Sequence, residues 1–381
     1  MTSAPKTRRA QEPWDAYEAA ADGLTEYWYP VLPVRQLGRR FRSVRLLGRD
    51  VVLIRDGGRI FALDDRCPHR HIPLSLGRKE FPGTVSCAYH GWTFDLATGE
   101  LKAALTDGPD SPIVGAACVR TYPVEERCGL IWIWTGDGEP VPVEDDIPDE
   151  LLAKDARVIP LLRFADGDWR HACENGFDEA HGKMLHRTSW WVLFKRMAGW
   201  NVTEIVRGDD RVWLTRFQHE VHDDDDYPGL GRWPRFNLFQ RRRRKTAQGS
   251  NEHAVSIRLP CILRVRQPGR ADWTHYEWYV PLERDRYRYL VLAVTWVSGI
   301  RRLTWRLRYW AYILWVHHFH FNNQDLMVVS HMSDSHPAPA FRPDVSIAAW
   351  RDMVANEARA PGPPRAQSSA QSSARSSQAA E

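Results

Sequence analysis

Cys67-Pro68-His69-Arg70 and Cys87-Ala88-Tyr89-His90-Gly91-Trp92 decide how this chain is read. A C-x-H pair and a C-x-x-H pair are separated by the 17 residues 70–86. Each follows a predicted strand and lies on a loop. Two Cys and two His can hold zinc, but structural zinc usually draws on C-x(2–4)-C pairs with His pairs elsewhere. Here each half gives one thiolate and one imidazole. That suits a [2Fe–2S] cluster with Cys67 and Cys87 on one iron and His69 and His90 on the other. Imidazole carries less negative charge than thiolate, so such a cluster is easier to reduce. Pro68, Tyr89, Gly91 and Trp92 suit tight loops that shield it and aim backbone N–H groups at sulfur.

Around the pairs the pattern is β. Val44–Arg55 reads as strand, Asp56-Gly57-Gly58-Arg59 as a turn, and Ile60–Leu63 as the return. Leu130-Ile131-Trp132-Ile133-Trp134 reads as a strand buried on both faces. Strands never alternate with helices here, so residues 25–140 form a small all-β domain. Residues 1–24 read as a loose polar arm, and the acidic, Pro-containing stretch from Gly136 to Glu150 as a linker.

Residues 150–355 form a second domain, and the fold class is α+β. Trp169–Arg187 has helical character, 200–220 returns to strand, and Val255–Val265, Trp273–Val280 and Arg286–Trp296 read as an antiparallel sheet. Arg301–Met332 lacks Pro and Gly and reads as one long helix. The charge runs Asp223–Asp226 and Arg241–Lys245 read as solvated loops or as a docking surface for a redox partner. The Ala/Ser/Gln/Pro tail, 361–381, should be disordered.

Composition narrows the function classes. The chain has 381 residues, enough for two domains, and a net charge of +4, too small to argue for nucleic acid. Its 18 Trp favour large cores, apolar pockets or interfaces. No stretch reaches the ~20 apolar residues of a membrane span. The nearest, Tyr309–Phe321, contains three His and reads as a buried helix before it reads as a membrane-surface dip. Six scattered Cys make no disulfide scaffold, and a reducing cytoplasm is the default.

A cluster alone moves one electron and transforms nothing. Asn175-Gly-Phe-Asp178-Glu-Ala-His181-Gly-Lys-Met-Leu-His186 supplies a place to use it. Two imidazoles and one carboxylate with open positions define the facial triad of non-heme Fe(II) oxygenases. Residues five apart on an ideal helix point about 140° away from each other. His181 and His186 can share one metal only if the helix breaks or widens between them, and Gly182 is well placed for that. The third ligand is best sought at Asp325, an acid in an apolar, His-rich helix, with Asp334 as the fallback.

With both motifs present in this order, the ordered chain resembles the large subunit of the Rieske non-heme iron oxygenases. It looks most like the carbazole 1,9a-dioxygenase type of terminal oxygenase, on Tyr27–Val31, Glu174–Asp178, Tyr276–Pro281 and Asn322-Asn323-x-Asp325. The four-residue gap between His181 and His186 matches the wider family instead. So does His71 depart: the family usually has Gly or Ala after the Arg, and an imidazole here is either a proton acceptor or neutral variation. The resemblance implies a Rieske β-fold followed by a helix-grip sheet, one [2Fe–2S] cluster and one Fe(II) per subunit, and a head-to-tail homotrimer. It implies that Asn175 and Asp178 belong to the catalytic apparatus. Asp178 matches the carboxylate that bridges a cluster His of one subunit and an iron-ligand His of the next. It implies electrons from NAD(P)H through a separate reductase, often with a ferredoxin, since the chain has no dinucleotide fingerprint of its own. The expected reaction uses O2 to hydroxylate or dihydroxylate a hydrophobic aromatic or polycyclic substrate, with monooxygenation or dealkylation as the alternative. Phe177, Leu185, Trp190, Trp191 and Phe194 could line its pocket. The reading from another class is a Rieske electron carrier with an inert second domain.

Overall fold

A computed structural model describes residues 14–178, 180–189, 200–208, 212–221, 226–227, 229–232, 254–266, 273–333 and 341–362. Trp190, Trp191, Phe194, Asp334, most of the two charge runs, residues 1–13 and the tail beyond 362 lie outside the described residues.

The chain divides into two compact units. One holds 22–162 with 280–284 and the segment after 358; the other holds 163–279 and 285–358 with the segment before 22.

The first unit is built from three antiparallel sheets. One orders Trp28–Pro33, Leu130–Trp134 and Val124–Arg127. Every residue of Leu130–Trp134 is buried, as an uninterrupted apolar strand requires. A second orders Arg42–Leu46, Arg49–Asp56, Arg59–Asp64 and Thr121–Tyr122. The expected strand Val44–Arg55 is therefore a hairpin. Its two-residue turn puts Leu47 at φ 45° and Gly48 at φ 73°. A primed turn needs positive φ twice, and Leu supplies no glycine signal for the first. The third sheet, Thr84–Ser86, Trp92–Asp95 and Leu101–Ala104, carries the second Cys–His loop at its edge. A core of Val52, Ile54, Leu63, Val85, Phe94, Leu101 and Val119 also contains Cys67 and Cys87, so both thiols are rooted in a buried apolar cluster.

The acidic stretch after Gly136 is not a free linker. It folds into Val143–Asp146 and Asp149–Leu152, buries Val143, Ile147 and Leu151, and sends the Asp146 carboxylate to the backbone N–H of Trp28 at 2.9 Å. Trp28 Nε1 donates to Val141 O at 2.8 Å.

The second unit centres on a seven-stranded sheet. Its order is Arg157–Asp166, Arg286–Thr295, Trp273–Glu283, Ile262–Arg266, Ala254–Arg258, Leu214–Val221 and Trp200–Arg207. The expected long helix is present from Gly299 to Val329, but its middle, Tyr309–Phe321, is π-helical. No helix of the described residues is long and apolar enough to cross a membrane.

The expected arm over 1–24 needs correction from residue 14 on. Asp15–Ala19 is a helix, and Tyr17 is buried with its hydroxyl donating to Glu174 Oε1 at 2.6 Å. Arg351 Nε donates to the same oxygen at 2.6 Å, and Trp169 Nε1 donates to Ala20 O at 3.1 Å. The segment is held by partners more than a hundred residues away, which no local pattern announces.

Candidate metal centres

The two Cys–His loops are built alike. Each Cys N–H donates to the carbonyl five residues on, Cys67 to Ile72 at 2.9 Å and Cys87 to Trp92 at 2.8 Å. Each Cys carbonyl accepts from the residue four on, His71 at 2.8 Å and Gly91 at 3.1 Å. Those two residues hold the same left-handed conformation, φ 60° and 64°. His71 therefore occupies the position where the other loop has Gly, exposed and without the freedom glycine would give. Asp65 pins the first loop, accepting from Ser75 N at 2.6 Å and Ser75 Oγ at 2.7 Å.

The loops bring all four expected ligands into one place. Cys67 and Cys87 are buried, and His69 and His90 lie outside them. The Nδ1 atoms of His69 and His90 converge to 3.0 Å. Each Nε2 is on the far side of its ring. Trp92 stacks on His69 at 4.9 Å and Tyr89 on His90 at 3.8 Å, which fixes both rings. Burial pushes the Cys67 thiol up to about 11, with the Cys87 thiol adding to the shift. Two neighbouring buried thiols and two converging Nδ1 atoms, carried on the same two loops, fit a [2Fe–2S] cluster with mixed ligands.

The second site forms where the helix Trp169–Phe177 stops. Asp178 leaves the helical region, at φ −82° and ψ 129°. His181 then opens a single turn, Gly182–Leu185, which ends at His186. No regular helix runs through 181–186, as the spacing required. The break falls at Asp178 and His186, and Gly182 sits inside the turn. The π-helical widening lies instead on the facing helix, just before Asp325.

His181, His186 and Asp325 converge, with one ligand atom from each within 4.8 Å of the others. His186 Nε2 is 3.2 Å and His181 Nε2 3.4 Å from Asp325 Oδ1. Both Nδ1 atoms are engaged on the opposite side. His181 Nδ1 lies 3.2 Å from Asp178 Oδ2, and His186 Nδ1 lies 2.8 Å from Gln324 Oε1. Acceptors at Nδ1 place the proton there and leave the Nε2 lone pair for a metal. Among the described residues the buried His186 Nε2 makes no hydrogen bond of good geometry, although Asp325 Oδ1 is 3.2 Å away, and a metal ion would satisfy it. Asn175 Nδ2 donates to Asp325 Oδ1 at 3.1 Å and steadies the carboxylate. Burial opposes charge here, yet the hydrogen bonds and fields of the carboxylates override it. His181 is raised to about 10 by Asp178 and Asp325, and Asp325 is lowered to about 2 by His181 and His186. The same field favours a bound cation, and the donor set of two imidazoles and a carboxylate suits Fe(II).

Gln324 is the residue beside His186 that sequence reasoning missed; an amide beside an acid carries no motif. Of the expected pocket residues, Phe177 is fully buried and Leu185 half-buried.

Comparison with known proteins adds to this geometry. Residues 27–123 match the Rieske [2Fe-2S] domain, and residues 134–203 with 237–361 match the homotrimeric ring hydroxylases. The chain is 30% identical over 292 residues to the carbazole 1,9a-dioxygenase terminal oxygenase component of a Sphingomonas species, covering 74% of this chain and 75% of that one. The corresponding protein of Metapseudomonas resinovorans is 29% identical over 366 residues, covering 90% and 92%. A solved fluorene-bound variant of a carbazole 1,9a-dioxygenase oxygenase, in complex with ferredoxin, has a TM-score of 0.78 at 26% identity, covering 92% of this chain and 95% of that chain.

Proposed function

This chain belongs to the Rieske-domain ring hydroxylases and is the terminal oxygenase component of a multicomponent system; from that premise we propose that it oxygenates a hydrophobic ring substrate at a mononuclear iron held by His181, His186 and Asp325. When bound, the cluster supplies single electrons and the ferrous ion supplies O2 activation. The observation that carries the reading is the convergence of two Nε2 atoms on Asp325 while both Nδ1 atoms are tied back to Asp178 and Gln324.

The chain's own residues divide the remaining work. Cys67, Cys87, His69 and His90 hold the cluster, with the Cys side buried and the His side outward. Asp178 fixes the His181 ring by accepting from Nδ1. In a homotrimer, Asp178 would also accept from the outward Nε2 of His69 or His90 of the partner subunit. A carboxylate shared by two imidazoles fixes both rings and shortens the path for an electron. Asn175 orients Asp325. Electrons come from a ferredoxin or an NAD(P)H-dependent reductase, as the ferredoxin complexes of similar oxygenases suggest. The protein acts in the cytoplasm, where the four thiols outside the cluster, Cys118, Cys128, Cys173 and Cys261, stay reduced.

The test is oxygen transfer. The purified protein, a surrogate reductase and ferredoxin are given a library of ring compounds under 18O2, and products are read by mass. Labelled hydroxylated, dihydroxylated or dealkylated product supports the reading. Cluster turnover with no labelled product from any ring compound supports the electron carrier instead.

A further inference from the structure

One set of buried groups near the iron ligands serves neither centre. His318, on Tyr309–Phe321, is 1% exposed. Among the described residues neither its Nδ1 nor its Nε2 has a hydrogen-bond partner. Across from it, on Trp273–Glu283, His275 is buried with Nδ1 unpartnered among the described residues and Nε2 3.2 Å from Glu277 Oε1. Trp273 Nε1 is buried and unpartnered too. Native interiors rarely leave this many polar atoms unpaired in one place.

These groups form a connected cluster. The His275 and His318 rings meet edge to face at 6.2 Å. Trp273 lies 5.8 Å from His275 and 6.1 Å from His317, and His317 lies 6.4 Å from Phe321. Phe321 stacks on the iron-ligand candidate His186 at 3.5 Å. Along the helix, His318, Asn322 and Asp325 follow an i, i+4, i+7 stripe. His318 and Asp325 are seven residues apart across the end of the π-helical stretch, so they sit roughly two turns apart along the axis.

His318 keeps its side of this cluster neutral. Burial, then the neighbouring His275, His317 and Arg163, lower His318 to about 3, so its ring offers one N–H and one lone pair. His275 holds Nε2 3.2 Å from Glu277 Oε1, so its buried Nδ1 is the atom left for a ligand. The nearby cation is already occupied: Arg163 donates to His318 O at 3.0 Å and to Asn323 Oδ1 at 2.6 Å. Among the described residues an anionic ligand group would find no free Arg or Lys in this cluster, whereas a hydroxyl or ring N–H would find an imidazole.

Resting on the oxygenase reading, we propose that His318 and His275 form a polar subsite that selects a ring substrate bearing a neutral hydroxyl or N–H and directs it toward His181, His186 and Asp325. Trp273 and Phe321 supply the apolar walls, and the two imidazoles supply specificity. A plain hydrocarbon leaves the imidazoles unpaired and is disfavoured.

Equilibrium binding to the oxidised holoenzyme tests this without turnover, with fluorene and 9-hydroxyfluorene as matched probes and tryptophan quenching as the readout. The wild type should bind 9-hydroxyfluorene about tenfold more tightly, the scale of one hydrogen bond that satisfies a buried group. His318→Leu and His275→Leu should each erase most of that preference and leave fluorene affinity within about threefold of wild type. Equal binding of the two probes by the wild type overturns the subsite, as does an unchanged ratio in both variants, which would mean that water satisfies the imidazoles. If one variant loses its cluster absorbance, the other variant and the wild-type ratio decide. Fluorene binding and oxygenation without discrimination sinks the subsite alone. Reduced cluster with no oxygenated product from any ring probe sinks the oxygenase reading, and the subsite with it.

Discussion

Replacing Gln324 by Leu removes the acceptor 2.8 Å from His186 Nδ1 and little else. The other bond lost, Gln324 Nε2 to Thr188 Oγ1 at 3.0 Å, is solvent-exposed and contributes little. His186 is 1% exposed, so its Nδ1–H has no water to turn to. A buried donor left unpaired costs about 1–3 kcal/mol. The ring can escape by moving its proton to Nε2, where the metal must bind, so the cost falls on metal affinity. Loss of such an orienting partner weakens metal binding by about 10–100-fold, and the stranded-donor figure spans the same range. The assay is Fe(II) competition against a fluorescent chelator, with cluster absorbance as the internal control for folding. Gln324→Glu keeps an acceptor at Nδ1 and should bind iron at least as tightly as wild type. Wild-type affinity in Gln324→Leu, or equal weakening in Leu and Glu, would refute the argument that the amide sets the His186 tautomer.

Three further outcomes follow from the structure. Gly91→Ala should lower stability by at least about 1 kcal/mol more than His71→Ala, read as thermal midpoint and cluster retention, because His71 already bears the left-handed strain and a Cβ on Gly91 would meet Leu105 Cβ at 2.8 Å. His318, lowered from 6.5 to about 3, gives stability that is complete above pH 6.5 and lost as pH falls toward 3, since only the unfolded chain takes up the proton; the slope reaches at most about 1.4 kcal/mol per pH unit, and His318→Leu should flatten it by up to one proton in thermal scans between pH 7 and 4. Asp178→Asn should leave cluster reduction by dithionite unchanged but slow single-turnover product formation at least about tenfold, because an amide accepts less strongly from His181 Nδ1 and, in the proposed trimer, from the cluster imidazole it would bridge to.

What could be read from the sequence follows the range of the interactions involved. The cluster loops are local: each closes on itself through bonds spanning four or five residues, so Cys67, His69, Cys87 and His90 stand out in a short window. His181 and His186 were legible for the same reason, and their spacing alone required the helix to break. Asp325 was legible because an acid inside an apolar helix is costly without a partner. Gln324, its neighbour, was not, since an exposed amide and an orienting amide look alike until the fold brings His186 beside it. The helix Asp15–Ala19 was read as loose because Tyr17 is buried only through Glu174 and Arg351. The site of helical widening was misplaced to Gly182; the aromatic run Tyr309–Phe321 shows no period that separates a π-helix from an α-helix. The hairpin at Leu47–Gly48 was missed because the strained position is a leucine.

Iron counted per chain, beside the cluster spectrum, bears most directly on the claim that one chain carries two metal centres. The reconstituted wild type should hold about three irons, two in the cluster and one at His181, His186 and Asp325. His181→Ala and Asp325→Ala should each hold about two, with cluster absorbance and electron paramagnetic resonance unchanged and oxygenated product abolished. Two irons in the wild type, or loss of the cluster signal in these variants, would contradict the account.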